Sequence, residues 1–292
     1  MKRFFRLILI LIVVAAAAAA VPAFFPSLVW SLPADEATRP APDAKRGEYV
    51  FHMGGCASCH TDKDGKPLAG GHRLKSPFGT FVVPNITQDT ATGIGSWTER
   101  DFVRAMKLGL SPTGRHYYPA FPYTSYAKMT DADLRDLWAY LKTVPAVANK
   151  TPDHALDFPY SVRPGLGLWK LLYLDTAAFR PTPGKSESWN RGAYIVTGAA
   201  HCGECHTPRN IFGALDPGRA MAGTKAGPDG ESVPNITPHK EKGIGKWTRQ
   251  EIAFALQAGL LPSGDVVGGT MAKVVENDTA KLTEADRLAI AE

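Results

Sequence analysis

Apolar positions along this chain recur at helical spacing, and long polar, proline-rich stretches separate them. The first apolar run is the longest. Residues 7–30 hold no ionisable side chain, and Lys2, Arg3 and Arg6 stand in front of them. A bilayer-spanning helix needs ~20 apolar residues, whereas the core of a cleaved signal peptide has ~7–15. Residues 18–20 or 21–23 offer small-residue cleavage sites, but the length favours a retained anchor. Positive charge before the span keeps the N-terminus inside and sends the rest of the chain out. Under either reading the chain from residue 35 onward is expected on the periplasmic face of a bacterial inner membrane.

Beyond the leader the pattern predicts short helices. Residues 43–54 form the first. Thr98 reads as the N-cap of a second, with Phe102, Ala105 and Met106 on one face and Gly109 as its stop. Thr248 and Glu251 form a capping box ahead of Ile252, Ala255 and Leu256. A helix after Thr130 buries Leu134, Leu137, Trp138 and Leu141. Its counterpart after Thr283 has run little more than two turns at Glu292, and so reads as clipped or short. No long stretch alternates with the period of a strand, and the expected fold class is all-α.

The pattern occurs twice. Arg46-Gly47-Glu48-Tyr49 returns as Arg191-Gly192-Ala193-Tyr194, and Val83-Pro84-Asn85-Ile86-Thr87 as Val233-Pro234-Asn235-Ile236-Thr237. Gly93-Ile94-Gly95, Trp97-Thr98 and Gly109-Leu110 return near an offset of 150. Two copies imply tandem duplication rather than a solenoid. The expected organisation is a leader at 1–34, one unit at 40–147, a linker at 148–187 that packs on both units, and a second unit at 188–292.

Cysteine usage supplies the chemistry. The four cysteines form two pairs, Cys56-Ala57-Ser58-Cys59-His60 and Cys202-Gly203-Glu204-Cys205-His206. This is the spacing of c-type haem attachment. Two thiols one turn apart add to the two vinyl groups of the porphyrin, and the next residue aims its imidazole at the iron. A zinc site would bring its pairs closer in sequence or add a histidine pair. A thioredoxin-like site would require a βαβ pattern. Disulfides suit an oxidising compartment but leave the histidine after each pair unexplained. Two covalent haem c groups are therefore expected, with His60 and His206 on the irons. The net charge of +5 includes the three leader cations. No basic block is present, so nucleic acid is not an expected partner.

A methionine as sixth ligand raises a haem's potential. In the second copy Met271, in a loop after Gly268-Gly269-Thr270, is the expected ligand, and Met221 a packing residue. In the first copy Met106 lies on the apolar helix face and Met53 is too close to Cys56. Met129 is the choice there, with His116 as the alternative. By the offset between the copies Met271 corresponds to Tyr118 and Met129 to Leu282, so the two copies do not align here. Asn85 and Asn235 read either as partners of a propionate or backbone group, or as structural turn residues.

The segments GGCASCHT, PFGTFVVPNIT, GIGSWT, CGECHTPRN and VPNITP resemble those of bacterial dihaem cytochromes c. They are similar to the cytochrome subunits of membrane-bound alcohol, gluconate and aldehyde dehydrogenases. The resemblance implies tandem class I cytochrome c folds, His/Met iron with Met129 and Met271 as distal ligands, and no substrate chemistry of the chain's own. It also implies delivery of electrons from a dehydrogenase to a terminal oxidase, quinone site or soluble cytochrome. The alcohol and gluconate dehydrogenase subunits carry three haems, and this sequence has motifs for two. A dihaem peroxidase or a thiosulfate-oxidising cytochrome is the alternative.

Overall fold

The computed structural model describes residues 2–33 and 40–292. The leader boundary expected at residue 34 lies outside them. α1 (Lys2–Phe24) covers 23 residues, and its apolar side chains are largely exposed. A short turn at Pro26–Leu28 then carries the chain to Trp30, which is buried.

Residues 40–147, which hold the first copy of the repeat and are called the first unit below, contain α2 (Ala44–Met53), α3 (Cys56–His60), β1 (Arg73–Ser76), β2 (Gly79–Val82), α4 (Glu99–Leu108), α5 (Tyr123–Tyr126) and α6 (Asp131–Leu141). Residues 148–187 between the two copies contribute β3 (Ala155–Leu156) and α7 (Gly165–Tyr173). The second unit contains α8 (Glu187–Thr197), α9 (Gly203–His206), α10 (Arg249–Ala258), α11 (Gly269–Asn277) and α12 (Glu284–Ala291). The fold is mostly helical with long loops.

Two features differ from the sequence reading. β1, β2 and β3 form a small antiparallel sheet with β2 in the centre, Arg73 opposite Val82 and Thr80 opposite Ala155. Strands of two to four residues are too short to declare a period of two, and the third arrives from the linker. The capping box expected only at Thr248 also occurs at Thr98, where Asp101 returns the hydrogen bond to the cap backbone. Aspartate does this as well as glutamate. Gly109 and Gly259 end their helices at φ 58° and 68°, the left-handed region that glycine adopts freely.

The repeated Arg-Gly-x-Tyr segment explains how each unit closes. α2 crosses α6 and α8 crosses α12 at a glycine. A Cβ on Gly47 would lie 1.9 Å from the Asp136 carbonyl oxygen, and one on Gly192 the same distance from that of Ala289. The arginine before each glycine pairs with an aspartate of the last helix: Arg46 with Asp136 at 2.7 Å and Arg191 with Asp286 at 2.7 Å.

The tyrosines reach across to the other unit. Tyr49 donates to Asp286 at 2.8 Å and accepts from the Thr283 N–H at 3.0 Å. Tyr194 donates to Asp133 and accepts from the Thr130 N–H at 3.1 Å. A buried hydrogen bond to a charged group contributes ~1.5–3 kcal/mol. Tyr194→Phe is therefore expected to lower unfolding stability by about that amount in a denaturant titration. A loss under ~0.5 kcal/mol would remove this contact from the forces joining the units.

Candidate haem sites

Each histidine of the two motifs is oriented by the same device. The imidazole Nδ1–H of His60 donates to the Pro84 carbonyl at 2.8 Å, and that of His206 to the Pro234 carbonyl at 2.8 Å. A carbonyl can only accept, so the proton resides on Nδ1 and the lone pair on Nε2 is free for a metal. Burial pushes the His60 pKa down to about 4 and lowers that of His206. Both rings are therefore neutral at pH 7.

The Val-Pro-Asn-Ile-Thr repeat exists to present these carbonyls. Asn85 turns its amide away to the Val147 carbonyl at 2.7 Å, and its oxygen accepts from the Thr87 N–H at 2.9 Å. Asn235 accepts from the Thr237 N–H at 2.8 Å. Both asparagines thus hold a structural turn. Glycine is required against this segment: a Cβ on Gly70 (φ 70°) would lie 2.4 Å from the Pro84 carbonyl carbon.

The cysteines line the same space. Burial pushes Cys56 and Cys205 up to about 12 and Cys59 and Cys202 up to about 11. At neutral pH burial keeps them protonated as thiols. Both Cys-x-x-Cys-His segments open on one continuous, largely apolar cavity of about 2190 Å³. An ordinary ligand pocket measures ~300–1,000 Å³, so this one has room for two large planar groups. The residues present therefore fit two haems: paired thiols, a neutral imidazole aimed inward, and an apolar chamber.

The two motifs face each other, and each is gripped by the opposite unit. Ser58, inside the first motif, donates to Asp278 at 3.0 Å, and burial pushes that carboxyl up to about 7. Glu204, inside the second motif, accepts from Thr124 at 3.1 Å and Ser125 at 2.9 Å. The Tyr126 and His201 rings meet edge to face with centroids 5.5 Å apart. The sequence does not mark these cross-unit contacts, because the partners lie far apart along the chain.

The distal candidates separate clearly. Met271 lines the cavity, but from the first turn of α11 rather than from a loop. Met221 also borders the cavity, on the histidine side. Its N–H donates to Thr207 Oγ1 at 3.0 Å and its carbonyl accepts from Ile236 N–H at 2.9 Å. Leu68 makes the same two bonds in the first unit, so Met221 is its packing counterpart. Met129 is 1% exposed and lies in the core, its Cγ 3.8 Å from the position of a Cβ on Gly198, and it is absent from the cavity wall. Met53 and Met106 do line the wall.

His116 lies elsewhere. It is 3% exposed, and its Nε2–H donates to the Pro22 carbonyl at 2.9 Å. That carbonyl has no helical partner, because the residue four positions on is Pro26, which lacks an N–H.

The register also changes. Leu110 bridges His116 and Leu260 bridges Val266, while Tyr117 N–H and Val267 N–H reach the carbonyls of Gly109 and Gly259 at 2.8 Å. The offset of 150 therefore persists as far as Tyr117 and Val267. Between here and the caps at Thr130 and Thr283 the second unit has three more residues than the first.

Residues 44–145 match the Cytochrome c family. A protein named "Diheme cytochrome c-type" from Cereibacter sphaeroides is 46% identical over 257 residues, covering 85% of this chain and 84% of that protein. The chain belongs to the dihaem c-type cytochromes. This dihaem cytochrome carries two covalently bound haem c groups and works in electron transfer. The cytochrome c subunit of an alcohol dehydrogenase (quinone) from Gluconobacter oxydans is 37% identical over 273 residues. The cytochrome subunit of a fructose dehydrogenase from Gluconobacter japonicus is 38% identical over 252. These alignments cover 88% and 85% of the dihaem cytochrome but only 54% and 51% of the two subunits, about half their length.

Proposed function

We propose that this protein is a membrane-anchored, periplasm-facing electron carrier built from two tandem class I cytochrome c units. It takes electrons from a periplasmic or membrane-bound dehydrogenase and passes them to an oxidase, a quinone site or a soluble cytochrome. The observation that carries the reading is the pair of histidines, each with Nδ1 held by a proline carbonyl and Nε2 turned to one shared cavity. Cys56 and Cys59 would hold one haem and Cys202 and Cys205 the other. Bound there, the haem supplies one-electron redox chemistry. The chain's own residues orient the imidazoles, exclude water and bring the two attachment loops together. The names of the relatives support the dehydrogenase as donor.

His60 and His206 are the proposed proximal ligands, with Met271 distal in the second unit. Met129 is proposed for the first, and its side chain would have to turn from the core to serve. Its support is that each copy holds one methionine between its Gly-Leu pair and its last helix, Met129 in the first and Met271 in the second. Retention of the leader is supported by His116 and Trp30, which enclose its end.

One observation favours the second reading, a dihaem peroxidase. With Met129 in the core and absent from the cavity wall, the first haem would keep an open face. Ferric spectra of the purified protein separate the two. The carrier is expected to be low-spin with a methionine–iron charge-transfer band from both haems. A high-spin component accounting for half the haem, together with peroxide turnover, would establish the enzyme instead.

A further inference from the structure

Two cations stand in the wall of the haem chamber without an anion. Arg115 follows α4 in the first unit, and Arg163 belongs to the segment between the units. Both line the cavity onto which the attachment motifs open. The Arg163 guanidinium donates to the His116 carbonyl at 2.8 Å and lies 4.6 Å over the Tyr118 ring. The Arg115 guanidinium makes no hydrogen bond or ion pair among the described residues, and only its backbone is held, by Ser111. Burial lowers the pKa of Arg163, and the charge of Arg115 lowers it further. Asp153 acts on Arg163 more weakly than Arg115 does, and among the described residues it pairs with neither arginine.

Tyr117 and Tyr118 complete the group. Both line the cavity, and the charges of Arg115 and Arg163 act on both. Neither hydroxyl has a hydrogen-bond partner among the described residues. Burial pushes the Tyr117 hydroxyl up to about 12, so it is a donor at neutral pH. The group lies on the side of the first attachment motif. The Tyr118 ring packs against Phe81 with centroids 5.7 Å apart. Phe81 is in β2, just ahead of the Pro84 carbonyl that orients His60.

The second unit keeps the turn but not the charge. The Ser111 N–H reaches the Arg115 carbonyl at 2.9 Å, and the Leu261 N–H reaches the Asp265 carbonyl at 2.8 Å. Asp265, Val266 and Val267 therefore stand where the first unit has Arg115, His116 and Tyr117. Asp265 is absent from the cavity wall.

Uncompensated guanidinium groups beside free hydroxyls, in a largely apolar chamber, make a site for carboxylates. Haem brings two carboxylates, on the side of the ring away from the vinyl groups that the cysteines take. We infer that Arg115 and Arg163, with Tyr117 and Tyr118, hold the carboxylates of the haem attached at Cys56 and Cys59 and raise its reduction potential, a contribution that Asp265 cannot make in the second unit. This rests on reading Cys56, Cys59 and His60 as the attachment site of that haem. Reduced iron carries one positive charge less than oxidised iron. Nearby cations therefore favour it, and more strongly where water is excluded. Duplication of one motif has thus produced two haems in different fields.

The test is a redox titration of the full haem-loaded chain followed by NMR, which reads each haem separately. Cross-peaks to Ala57 and Gly203, one inside each motif, tell the haems apart. Arg115→Gln with Arg163→Gln is expected to shift the first haem about tenfold towards the oxidised form, or ~59 mV for one electron, and the second by less than about twofold. Arg115→Gln removes no contact within the protein and is expected to shift the first haem about threefold by itself, which keeps the test open if Arg163→Gln misfolds. Lysine at both positions keeps the charge and should stay within about twofold of the parent. Infrared redox-difference spectra with isotope-labelled haem carboxylates give a second readout, in which half the labelled intensity should move in the glutamine variants. A first haem indifferent to glutamine, a shift confined to the second haem, or lysine acting as strongly as glutamine would each overturn the inference and leave the carrier reading intact. A mass spectrum with no porphyrin on Cys56 and Cys59 would overturn both.

Discussion

Replacing Met271 by alanine is expected to leave both haems attached and to lower the potential of the second by on the order of 0.1–0.3 V. Axial ligands set haem potentials over a range of ~0.8 V, and a methionine sulfur favours the reduced iron. The cysteines and His206 that would keep the group in place are untouched, and His206 remains bonded to Pro234. The methionine–iron band should fall by half as one haem loses its contribution. Met221→Ala is the control. That residue borders the same cavity, but its backbone is locked into the histidine-side loop by Thr207 and Ile236. A potentiometric titration in which both variants leave the potential within ~30 mV of the parent would remove Met271 from the iron, since that difference is under 1 kcal/mol for one electron.

Gly192→Ala is expected to unfold the second unit's helix crossing, at a cost of about 3 kcal/mol or more. Alanine is the better helix former by ~0.8–1.0 kcal/mol, so local propensity alone predicts a gain. The crossing decides otherwise. The new methyl would stand 1.9 Å from the Ala289 carbonyl oxygen and 2.4 Å from its carbon. Those are backbone atoms of α12 and cannot rotate away. Overpacking of this kind costs ~1–3 kcal/mol and sometimes more, and moving α12 would also strain the Arg191–Asp286 pair. Gly47→Ala meets the Asp136 carbonyl at the same distance and should behave alike. Gly165→Ala has nothing within 4 Å of the new atom and serves as the neutral comparison. If all three variants melt together, the close crossing is not what holds each unit shut.

Much of the molecule follows from local rules. The helix caps at Thr98, Thr130, Thr248 and Thr283, the stops at Gly109 and Gly259, and the leader helix depend on residues within a few positions of one another. The two attachment motifs are equally local, since their chemistry needs only two thiols and an imidazole in one turn. The repeat could be recognised for the same reason.

Tertiary structure decided what depends on partners far away in the chain. Pro84 and Pro234 orient the histidines through carbonyls, and every residue has a carbonyl, so no side-chain pattern marks them. Tyr49 and Tyr194 bind the opposite unit across more than sixty residues of sequence. His116 belongs to the end of the leader because Pro26 leaves a carbonyl unpaired there. Spacing along the chain dictates which groups one helical turn can present. Which face those groups meet depends on the packing of helices whose contacts are non-local, and that is set only when the core closes.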